Sequence, residues 1–169
     1  RSQVHIPLLN LLLEIYPLSA QCHLKASGQL ALHILCGHPL PSVAAMDILV
    51  RTYPQSVQTE DDDGYLPLHC ALDSQYQSLD AIKILLEIYP EGVSHRTKNG
   101  WLPLHIALAS EHVNVEVIRH LLIVYPNGVL ETVTELIPML SLSPLQQRQY
   151  KELLVTSNNP SAFSIINLG

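Results

Sequence analysis

The chain repeats itself, and the repeat limits what it can fold into. The phrase "GYLPLHCALD" starts at Gly64, and "GWLPLHIALA" starts 36 residues later at Gly100. A weaker copy, "GQLALHILCG", starts 36 residues earlier at Gly28. His33, His69 and His105 hold the same place in the three copies, and Tyr53-Pro54, Tyr89-Pro90 and Tyr125-Pro126 keep the same spacing of 36. Tyr16-Pro17 lies 37 residues before Tyr53, and Val57, Val93 and Val129 follow the later Tyr-Pro pairs in register. A unit of this size cannot bury its own apolar faces, but stacked units cover one another. The spacing therefore predicts an elongated all-α solenoid.

Each unit reads as two helices. The first spans Pro67 to Asp73 and Pro103 to Ala109, since Pro suits a first helical turn, where its missing N–H has no partner to lose. The second spans Leu79 to Ile88 and Val115 to Val124. Its apolar residues Ala81, Ile82, Leu85 and Leu86, and Val117, Ile118, Leu121 and Leu122, fall on one stripe. Tyr-Pro then stops the helix, because Pro disfavours helical geometry in the residue before it. The polar run that follows, such as "SHRTKNG", reads as an extended finger closed by Gly.

These residues resemble the ankyrin repeat, whose signature is Gly-x-Thr-Pro-Leu-His-x-Ala followed by Val-Val-x-Leu-Leu-Leu. "GYLPLHCA" with "AIKILL" and "GWLPLHIA" with "VIRHLL" carry the resemblance, which covers roughly residues 3 to 130. Leu66 and Leu102 replace the Thr, and the period of 36 exceeds the family's usual length of about 33. The extra residues fall in the inter-helix turn and at the Tyr-Pro stop.

The resemblance implies a helix-turn-helix solenoid of about four to five units with degenerate ends. A half unit is expected at 3–17 and full units at 18–54, 55–90 and 91–126. A degenerate unit is expected at 127–155, in which "ELIPML" echoes a first helix and Ser143 with Gln146 has the capping-box pattern. Residues 156–169 are expected to be an extended or disordered tail. The half unit "VHIPLLNLLLEIYP" reads as a second helix without its first, and the opening Arg1 suggests a fragment or processed product.

The chemical readings are weak. The resemblance makes His33, His69 and His105 struts between neighbouring loops, with Gly28, Gly64 and Gly100 as turn residues. One His per unit, at the ~10 Å spacing of packed helices, cannot converge on a metal with bonds of ~2.1 Å. The remaining histidines show no HxH or HExxH spacing. No GxSxG, P-loop or dinucleotide fingerprint occurs, so no enzyme, metal or cofactor is expected. Cys22, Cys36 and Cys70 are odd in number and lack a CxxC pair, which fits a reducing compartment. The net charge of −6 argues against nucleic acid, and the apolar stretch Ile6 to Ile15 is too short to span a membrane.

Ankyrin ligands usually dock on finger tips and the open side of the first helices. That pattern falls here on Asp62, Asp63, Tyr65, Asp73 and Ser74, on Arg96, Lys98, Asn99, Trp101, Ala109 and Ser110, and on Ala26, Ser27, Gln29, Gly37 and His38. Tyr65 and Trp101 share one variable slot, where they are either interface anchors or packing residues. If Trp101 is an anchor, Trp101→Ala weakens binding at least ~10-fold and barely shifts the melting temperature. The acidic run Glu60 to Asp63 is either a solvated tip or a patch for a basic partner. The expected function is a non-catalytic protein–protein interaction module or scaffold in a larger assembly. The N-terminal apolar helix and the tail would make permanent contact with other subunits. The alternative is a regulatory ankyrin domain cut from a larger enzyme or channel.

Overall fold

A computed structural model describes residues 4–128; the degenerate unit from residue 129 onward and the tail lie outside the described residues. Among the described residues seven α-helices follow one another: α1 (Ile6–Ile15), α2 (Ala31–Gly37), α3 (Val43–Thr52), α4 (Pro67–Asp73), α5 (Leu79–Ile88), α6 (Pro103–Ala109) and α7 (Val115–Val124). The four helices read from the two middle units, α4 to α7, have the bounds expected from sequence.

Local chemistry sets these bounds. Ser42, Ser78 and Asn114 cap the second helices, their side chains accepting from the amides of Ala45, Ala81 and Glu116. Each second helix ends at Tyr53, Tyr89 or Tyr125, whose amide still reaches the carbonyl four residues back while its own backbone has left helical geometry. The Pro that follows does more than stop the helix. It opens a 3-10 turn at Pro17–Gln21, Pro54–Gln58 and Pro90–Ser94, ahead of the extended finger. The fixed φ of Pro is preset for that turn.

The Tyr ring folds back over the turn. A Cβ on Gly92 would lie 3.1 Å from Tyr89 Cδ1, and one on Gly128 would lie 2.8 Å from Tyr125 Cδ1. This accounts for the glycines at 92 and 128, while Ser19 and Ser56 at the equivalent places show that the earlier turns accept a Cβ.

The first helices form one row, α2 on α4 and α4 on α6. The second helices form another, with α1 against α3, α3 against α5 and α5 against α7. Between the rows runs one continuous core from Leu13 to Leu122. The apolar stripes of α5 and α7 are buried in it, so packing between units holds each short helix in place.

Candidate partner-binding surface

The fingers are built on the histidines. Each His sits in the first turn of a first helix and accepts through Nδ1 the amide of the residue that caps that helix. These bonds are Leu30 N to His33 at 3.2 Å, Leu66 N to His69 at 3.0 Å and Leu102 N to His105 at 3.1 Å. An Nδ1 that accepts leaves the proton on Nε2. That N–H then donates forward to the next unit: His33 to the Tyr65 carbonyl at 3.0 Å and His69 to the His95 carbonyl at 3.3 Å. One neutral ring thus satisfies a helix N-terminus and ties two units together. Burial lowers the pKa of His33, and lowers that of His69 to about 4.

Backbone bonds link finger to finger. Asp62 N donates to Ser27 O and Lys98 N to Asp63 O, both at 3.0 Å. Gly64 sits at φ +78° where the finger reverses. The acidic run divides here. Asp61 is buried, and its Oδ1 accepts from the amides of Asp63 (3.0 Å) and Tyr65 (2.8 Å). Its Oδ2 accepts from Gln29 Nε2 at 3.3 Å. Thr97, in the same slot one unit on, likewise accepts from Trp101 N at 3.1 Å. Glu60, Asp62 and Asp63 remain exposed. Glu60 lies 3.3 Å from His95 Nε2, and Lys98 Nζ donates to the Asp62 carbonyl at 2.6 Å. The acidic patch is therefore smaller than the run suggests and partly answered by the next finger.

Tyr65 and Trp101 stand in one slot on consecutive fingers, each half-buried and each packed on the core. Tyr65 lies 5.5 Å from the His69 ring, and Trp101 meets His105 edge-on at 6.4 Å. Burial raises the Tyr65 pKa, with Asp73 the next cause. Asp73, Lys98 and Asn99 are exposed, and Ala109 and Ser110 are half-exposed. Arg96 is exposed and donates to the Gly100 carbonyl of its own finger at 2.8 Å. Ser74 is buried and accepts from Gln77 N at 3.2 Å, so it shapes the turn. In the first unit Ala26, Gly37 and His38 are exposed, and Ser27 and Gln29 half-exposed.

Sequence reasoning passed over Gln77. It is fully buried at φ +40°. Its Nε2 donates to Leu72 O (3.0 Å) and Ala107 O (3.2 Å), and its Oε1 accepts from Asn114 N (3.1 Å). It pins the inter-helix turns of two units together. Pro41 and Val113 hold the equivalent places, so the period carries no sign of this role.

The surface offers no activated nucleophile among the described cysteines of the core. Burial pushes the Cys70 thiol up to about 12 and raises that of Cys36 as well. Among the described residues, no group of three His, Cys, Asp or Glu side chains is placed to hold a metal ion. No described helix is long and apolar enough to cross a membrane.

A family model described as ankyrin repeats, in three copies, matches residues 46–131, about half of the chain. Comparison with the curated proteins and with the solved structures gave no match.

Proposed function

Because the chain belongs to the ankyrin-repeat family, we propose that it is a non-catalytic protein–protein interaction module, working as a scaffold or subunit of a larger assembly. Ankyrin repeats are generally such modules. The observation that carries the reading is the pair Tyr65 and Trp101. Two large aromatics occupy successive copies of one slot, each packed on the core with the smaller part of its surface left to solvent. The loops that hold them are fixed by histidine struts and finger-to-finger backbone bonds. A part-buried aromatic held in place by its packing loses little entropy on binding, which suits an interface anchor. Asp62, Asp63, Asp73, Lys98 and Asn99, exposed on the same fingers and on α4, would supply the polar rim.

Trp101 also packs on the core. Truncation should both lower the melting temperature by a few degrees and weaken binding. The test is affinity capture from a cell extract, with the captured proteins identified by mass spectrometry and their affinities measured. Trp101→Ala and Tyr65→Ala should each lose at least ~10-fold in affinity at a temperature where both variants are folded. Folded variants that bind as tightly as the parent would remove these aromatics from the interface.

A further inference from the structure

The turns that join the two helices of each unit carry tips that the fold leaves in water. Leu40, Tyr76 and His112 hold one place in the three turns, 36 residues apart. Leu40 is 78 % and Tyr76 59 % exposed, and His112 is exposed as well. Behind the tips, Val43 and Val115 share a second place two units apart and are 43 % and 40 % exposed. Tyr76 belongs to an interior unit: α4 packs on both α2 and α6, and α5 on both α3 and α7. The slot itself therefore sets this exposure, wherever the sequence begins or ends.

One slot braces each turn. His38 Nδ1 accepts from Leu40 N at 3.2 Å, Ser74 Oγ from Gln77 N at 3.2 Å and Ser110 Oγ from His112 N at 3.3 Å. Gln77 Oε1 takes the Asn114 amide at 3.1 Å, which joins the second turn to the third. A side chain on a braced turn has little backbone freedom left to lose when a partner covers it. The charge at this edge has one sign. Residues 37–44, 73–80 and 109–116 contain Asp73, Asp80, Glu111 and Glu116 and no Lys or Arg. All four carboxylates are exposed, and Glu116 lies 3.6 Å from Arg119 of α7. A second copy docked by the same edge would set carboxylates against carboxylates. Residues 129–169 hold Arg148 and Lys151 against Glu131, Glu135 and Glu152, so their charge does not complement the edge either.

We propose that this turn edge is a second docking surface, and that its occupant is a basic segment of another polypeptide with apolar residues at regular spacing. The surface is distinct from that of Tyr65 and Trp101. Tyr65 precedes α4 and Tyr76 follows it, and a helix of seven residues separates them by ~10 Å. The spacing of the tips defines what fits. Neighbouring packed helices stand ~10 Å apart, a distance that an extended chain covers in three residues at ~3.3 Å each. An apolar residue at every third place would therefore meet the tips of successive units. Lys or Arg at the places between would answer Asp73, Asp80 and Glu111.

The probe is a fluorescent peptide in which Leu-Lys-Arg is repeated, added to the full chain at physiological salt. Anisotropy should show saturable binding with a Kd below about 100 μM. A peptide of the same composition with its leucines gathered at one end should bind at least ~10-fold more weakly, and one with Glu for every Lys and Arg should not bind. Leu40→Ser together with Tyr76→Ser should weaken binding at least ~10-fold, and Asp80→Asn together with Glu111→Gln at least ~3-fold. Tyr65→Ala together with Trp101→Ala should leave it unchanged, all variants being compared at a temperature where each is folded. Absence of saturable binding would overturn the proposal, as would equal affinity for the gathered-leucine peptide or binding indifferent to Leu40→Ser with Tyr76→Ser. Loss confined to Tyr65→Ala with Trp101→Ala would overturn it too, by giving the peptide to the finger surface.

Discussion

The interior of the stack and its first described helix place the same sequence slots in different surroundings. Leu85 on α5 and Leu12 on α1 stand four residues before their Tyr-Pro stops. One is buried between two rows of helices and the other is half in water. The contrast shows where stability lies in a repeat protein. A helix of 10 residues is marginal alone, and its apolar stripe stabilises only when a neighbouring unit covers it. The same leucine is buried or half in water according to what stands beside it.

The strongest way to break this comparison is to truncate both leucines. Leu85→Ala should cost about 2–5 kcal/mol by removing buried methyl groups and leaving a cavity. Leu12→Ala should cost under about 1 kcal/mol, because half of its surface is already solvated. Urea unfolding of both variants measures the gap. Equal losses would show that the end is as tightly covered as the interior.

The histidine struts should give a comparable effect through pH. His69 has a pKa near 4 in the fold, against 6.5 for a free His. The unfolded chain therefore binds the proton more readily. The stabilisation is complete above pH 6.5 and is lost as pH falls towards 4, amounting to about 3 kcal/mol from this one ring. His33, whose pKa is lowered by the same burial, acts in the same direction. His69→Ala should be less stable at pH 7 and show a flatter profile between pH 6.5 and 4. An unchanged slope in that variant would mean that the acid sensitivity resides elsewhere.

Whatever recurs in every unit was legible in the sequence. The bounds of α4 to α7 follow from Pro at the start, Tyr-Pro at the end and a stripe between, each seen more than once. The small residue after Tyr-Pro also recurs, at Ser19, Ser56, Gly92 and Gly128, and could have been read the same way. Single features were not legible. Gln77 has Pro41 and Val113 as counterparts, and its three bonds join groups that only the fold brings together. Asp61 looked like one of four acidic residues until its carboxylate was found turned inward onto the amides of Asp63 and Tyr65. Periodicity reports the shared frame. A side chain that departs from it is understood only when its neighbours are known.

The smallest effects lie at two glycines, and their signs should differ. Gly64 has a left-handed φ of +78°, and a Cβ there would lie 2.7 Å from Lys98 N, the amide that joins two fingers. Gly64→Ala meets both backbone strain and a clash with a bonded group, and should destabilise by about 1–3 kcal/mol. Gly37 ends α2, and its Cβ would make ordinary contact with Cys70 at 3.8 Å. Ala109 already occupies the equivalent place at the end of α6. Gly37→Ala should therefore stabilise by up to about 1 kcal/mol, because the unfolded chain loses conformational freedom that the folded chain does not use. Thermal unfolding of the two variants at neutral pH reads both signs. If Gly37→Ala also lowers the melting temperature, α2 does not pack on α4 in the register that α4 keeps on α6. The equivalence between the N-terminal end and the interior would then fail at its first joint.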